Sequence, residues 1–252
     1  MPLPVLDLSQ PDNVRRELLD DDRPVREEFA AALDQELSEL AEALAACFAR
    51  LPEVHAGAAR APTPRNELVA AFVFGVLDDV VVSTKLLLAG KAAAAGNVMR
   101  QAIEGIAMSA MCATDELLVI ARNKQQGAIR ARYWEKVWND DSRVQGGRAV
   151  EQLDWNAGAL RFAPGAVETL RQAKKHYNAF SHCGKATIAG RIALEVPGLF
   201  YVGGHFDPAK LVAYRAELTE RTRLCRVLPD FMTHLATTMT PVAGAPYPPA
   251  PA

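Results

Sequence analysis

Residues 174–191, KKHYNAFSHCGKATIAGR, gather two histidines, a cysteine, a tyrosine and four cationic side chains into eighteen positions. Such a set could cleave RNA without a metal. One group must take the 2′-hydroxyl proton, another must protonate the leaving oxygen, and a cation must hold the charged phosphorane. Histidine titrates near neutrality and serves the first two roles, while arginine or lysine serves the third. The candidate catalytic residues are therefore His182 with Lys175 or Arg171, and His176 and Tyr177 are further groups of the right type. Asn178, Ser181 and Lys185 border them as candidate binding residues. The plainer reading, which the sequence favours, is structural: Ser181 and His182 end a helix whose negative end Lys174 and Lys175 complement.

A second set is Arg100 and Glu104, four apart and so on one helix face. If partly buried they need each other, because an unpaired buried charge is costly. With Tyr133 they could line an interior pocket for a small molecule; on the surface they would form an ordinary helix pair. Metal chemistry is not indicated. Glu-x-x-His is missing, the nearest approach being Glu53-Val54-His55, and so is His-Glu-x-x-His. His176 and His182 are six apart and point roughly 120° from each other on an ideal helix. Gly-Lys at 90–91 and 184–185 lacks the spaced glycine of a phosphate loop, and no Gly-x-Ser-x-Gly elbow occurs. Cys47, Cys112, Cys183 and Cys225 are dispersed and read as free thiols. Neither a metal nor a cofactor is expected.

Helices must position these groups. The chain has 252 residues, half of them hydrophobic, 7% aromatic and 23% charged, with a formal net charge of -2. That is a globular mixture, with no global attraction for nucleic acid. Residues 1–22 read as an extended arm. Asp22 and Pro24 start a helix whose stripe runs from Val25 to Leu51 and stops near Pro52. Thr63 and Pro64 start a second, apolar nearly all round, that Gly90 ends. Asp78, Asp79 and Lys85 argue against its spanning a membrane. Residues 91–113 make a third, and 114–141 a fourth, capped by Thr114 and cationic in its second half. After a connector at 142–163, Pro164 opens the helix that Gly184 interrupts. A loop or short hairpin near 196–207 precedes a last long helix starting at Asp207. Residues 23–240 thus form one all-α domain, a single up-and-down bundle of about six to seven helices, followed by a Pro/Ala-rich tail at 241–252. The N-terminus lacks a secretory pattern, so a cytoplasmic protein without membrane contact is expected.

The order MRQAIEG in one helix, then YNAFSHCG near the end of a later one, resembles bacterial helical-bundle proteins of the HEPN-like kind over roughly residues 64–190. In active members an Arg and a His four to six residues apart at a helix end form a metal-independent ribonuclease site, usually across a dimer; many relatives are non-catalytic binding or toxin-neutralising modules. Arg171 and His176 have that spacing, as do Arg50 and His55 outside the expected region. His182 is the better positional match, yet no arginine stands four to six residues before it, and Lys175 is one step too far. The resemblance therefore implies a homo-oligomeric binding or regulatory module acting through a protein partner. Its alternative is a metal-independent endoribonuclease of a toxin or defence system, with RNA as the partner, and a small-molecule-binding bundle stands third.

Overall fold

The computed structural model describes residues 7–123, 127–196 and 198–239; the tail expected at 241–252 lies outside them. The chain is predominantly helical, with one two-stranded antiparallel sheet. Its elements in order are α1 (Pro11–Leu18), α2 (Arg23–Ala32), α3 (Asp34–Phe48), α4 (Leu51–Arg60), α5 (Pro64–Leu88), α6 (Ala92–Cys112), β1 (Leu117–Asn123), β2 (Gly127–Arg132), α7 (Tyr133–Trp138), α8 (Gly146–Asn156), α9 (Pro164–Asn178), α10 (Lys185–Ala189) and α11 (Leu211–Thr238). No helix among the described residues is long and apolar enough to cross a membrane.

α5 and α6 are the central pair, packed along their lengths through Val69, Val73, Val76 and Val80 on one side and Met99, Ile103 and Ile106 on the other. Thr63 caps α5, its hydroxyl accepting from the Asn66 N–H at 3.2 Å, and Pro64 occupies the first turn. Gly90 follows α5 at φ +72°. A side chain there would strike the backbone of His205, and one on Gly204 would lie 1.6 Å from the Ala89 carbonyl oxygen. The loop before α11 is thus seated directly on the α5–α6 turn.

Several expectations are corrected. The arm at 1–22 contains α1. The single helix over 23–51 is divided into α2 and α3 at Leu33, whose backbone leaves the helical region (φ −129°, ψ 25°), and Pro52 lies in the first turn of α4 instead of ending a helix. The division has a packing cause. Phe29 on α2 meets the rings of Phe206 and Tyr214 at 4.9 and 4.7 Å, whereas α3 turns Leu40, Ala43 and Cys47 towards α11. Tyr214 lies in the first turn of α11, so α2 meets the start of that helix while also packing on α5, and α3 runs on along α11.

The largest correction is at 114–141. The expected fourth helix is a β-hairpin followed by the short α7. Leu118, Val119 and Ile120 are buried in succession, with a bulge between Val119 and Ala121, so the strand lacks the alternation that betrays a half-buried strand. α8 covers it. The Asn156 side chain accepts from the Val119 N–H (2.8 Å) and donates to the Val119 carbonyl (3.0 Å), and Gln152 donates to the Ile120 carbonyl (2.7 Å). These side-chain amides replace a third strand. The hairpin considered near 196–207 is a single bridge, Ile192 with Phe200.

Candidate functional site

α9 lies on α6 and carries the KKHYNAFSHCG segment to its end. Val167, Leu170 and Tyr177 form its buried side, and Phe180 closes on Gly96, where an added methyl would sit 2.5 Å from the ring. This seating brings His176 to α11. Its Nε2 lies 2.7 Å from Glu217 Oε1, and Glu217 Oε2 accepts from Arg221 at 2.7 Å. Arg221 is fully buried and donates to Ser83 Oγ at 2.8 Å, and Ser83 donates to the Ala95 carbonyl at 2.8 Å. The chain of bonds thus joins α9, α11, α5 and α6.

The electrostatics follow from this wiring. Hydrogen bonding to Glu217 raises the His176 pKa against the opposing effect of burial. Burial pushes Glu217 up, but His176 and Arg221 outweigh it and hold the carboxylate below its ordinary range. Both shifts describe the same favourable pair. Tyr177 is raised mainly by burial; its hydroxyl lies beside Glu217 and Arg221 without a well-formed hydrogen bond.

The remaining sequence-predicted residues divide. Arg171 is held by Asp154 at 2.6 Å and by Glu168. Lys175, Asn178, His182 and Lys185 are exposed, and His182 has no hydrogen bond or ion pair among the described residues. Ser181 makes a long 3.5 Å bond to the Tyr177 carbonyl, as a helix-end serine does. Arg100 and Glu104 are 3.6 Å apart and largely buried, with Lys174 close enough that burial and Arg100 lower its pKa while Glu104 opposes them. Lys174 itself donates to the Gly147 carbonyl. Tyr133 is not with them. Its hydroxyl donates to Gln152 (3.0 Å) under the hairpin, near the far end of α6 at Cys112. The crevice between α5, α6 and α11, lined by Val73, Ile106, Leu228 and Met232, encloses only about 10 Å³.

Sequence reasoning missed Ser83, Glu217 and Arg221. A signal existed for two of them: Arg221 occupies an apolar-stripe position between Leu218 and Cys225, with Glu217 one turn before it. A charge on a buried stripe demands a partner. The chain matches no protein-family model, no curated protein and no solved structure.

Proposed function

We propose that the chain is a non-catalytic binding or regulatory module of the cytoplasm, built on a single up-and-down, HEPN-like helical scaffold and acting through protein contacts as a homo-oligomer. The observation that carries this reading is how the reactive groups at the end of α9 are engaged. Arg171 is neutralised by Asp154 and Glu168, and His176 by Glu217. A phosphate would have to displace these carboxylates and would be repelled by them. His182 and Lys175 are exposed, and neither makes a hydrogen bond or ion pair among the described residues. The scaffold reading draws on α6, which carries Arg100 and Glu104, lying against α9, whose last residues Tyr177 and Asn178 lead into AFSHCG. Contact surface is supplied by Leu194, Phe200, Val202 and Val212, between 51% and 81% exposed.

The alternative, a metal-independent endoribonuclease of a toxin or defence system, draws on His176, half-exposed and oriented by a carboxylate as a general acid would be. Incubation with a panel of labelled structured RNAs in EDTA separates the two. The RNAs are expected to remain intact with the wild type and with His182→Ala alike. Cleavage that disappears in His182→Ala, or in His176→Ala, overturns the binding-module reading.

A further inference from the structure

The two edges of the hairpin are treated differently. The outer edge of β1 is closed by Asn156 and Gln152. The outer edge of β2 has no such cover: among the described residues, the backbone of Gly127–Arg132 bonds to no strand but β1. Its side chains are small at Gly127, Ala128 and Ala131, which leaves room along the edge. An open edge is a template for another strand.

Charge narrows the choice of strand. From Leu117 to Trp134 the sequence carries Arg122, Lys124, Arg130 and Arg132 and no carboxylate. The register sets Arg122 opposite Ala128, and alternation then puts Arg130 and Arg132 on that same face. All three arginines are exposed. Arg122 lies over the Trp155 ring at 4.8 Å, Arg130 donates to the Leu117 carbonyl at 3.2 Å, and Arg132 pairs with Glu135 at 2.9 Å. Arg122 thus belongs to β1 and α8, and Arg132 is shared with Glu135; Arg130, on the strand that borders the open edge, has no carboxylate partner among the described residues.

We propose that β2 accepts an extended acidic peptide of a protein partner as a third strand. The peptide's backbone completes the ladder, and a carboxylate on the arginine face meets Arg130. This names a surface and a partner class for the binding module and rests on that reading. Charged side chains commonly guard open edges against pairing. Here the charges on the strand itself are all positive, with Glu135 paired to Arg132 at its end. They repel a second copy of β2, which would set arginine opposite arginine, and they admit a strand of opposite charge. A nucleic acid would meet the same arginines but has no N–H and C=O ladder to complete the sheet.

The test is fluorescence anisotropy of the full chain with a labelled peptide of alternating Glu and Thr. Saturable binding is expected. It should weaken at least about tenfold with the Lys–Thr counterpart, with a peptide N-methylated along its pairing edge, and with the Arg130→Glu/Arg132→Glu variant. Absence of saturable binding, indifference to N-methylation on either edge, or preference for labelled oligouridylate each overturns the proposal. The N-methylated arm needs no altered protein, so a variant that folds poorly does not rescue the idea. Absence of peptide binding with the RNAs intact overturns strand addition alone. RNA cleavage lost in His182→Ala overturns the underlying reading whatever the peptide does.

Discussion

Arg221 is fully buried on the apolar stripe of α11, and Glu217, the Glu217 carbonyl and Ser83 accept hydrogen bonds from its guanidinium. Glu217 in turn holds His176. Since the folded His176 pKa is raised above its ordinary value, the protonated form is the one the fold favours. Its contribution to stability is therefore full below about pH 6.5 and fades as pH rises through the folded value. Glu217 sets the other side of the window: held below its ordinary range, it stops contributing when acid protonates it. NMR titration should find His176 above its ordinary pKa in the wild type and lower in Glu217→Gln. Chemical denaturation should show His176→Asn less stable than the wild type at about pH 5.5, with the difference closing by about pH 8.5. A His176 pKa unchanged in Glu217→Gln would contradict the wiring. At this scale the sequence showed the types and not the partners. Arg171 and His176 stood out by their spacing, but Asp154 and Glu217 come from other helices, and no local pattern joins them.

Helices with clear punctuation were legible. Thr63-Pro64 before α5, Gly90 after it, Pro164 before α9 and Asp207-Pro208 before α11 each stand where the sequence places them. What escaped was decided by tertiary contact. The stripe from Val25 to Leu51 is unbroken in sequence, and nothing local marks the break at Leu33, which coincides with the seating of Phe29 against Phe206 and Tyr214. The hairpin was hidden by its own covering, because a strand bulged and buried on consecutive residues reads as part of a helix stripe. Its docking depends on Asn156, whose amide satisfies both backbone groups of buried Val119. Asn156→Leu keeps the volume and removes both bonds, leaving a buried donor and acceptor unpaired. The expected loss is about 2–4 kcal/mol, measured by urea unfolding. Asn156→Asp should restore only the bond from the Val119 N–H. A loss under about 0.5 kcal/mol for Asn156→Leu would mean that the hairpin is held by apolar packing alone.

For the molecule as a whole, the segment between α10 and α11 carries apolar side chains outward while its backbone is pressed on the α5–α6 turn through Gly204. Phe200 and Val202 are each 65% exposed, and oligomerisation through this segment would cover them. Light scattering of the wild type is expected to give a mass above that of one chain, and Phe200→Glu/Val202→Glu to return it to one chain with an unchanged circular dichroism spectrum. A wild-type mass of one chain at all concentrations would remove the homo-oligomer. The packing of α3 on α11 carries one more consequence. Leu40, Ala43 and Cys47 are buried there, and the Cys47 thiol donates to the Cys225 carbonyl at 3.1 Å. During synthesis α3 therefore waits for α11. Until α11 has left the ribosome, that greasy face lacks its native cover, and the nascent protein depends on whatever shields it in the meantime.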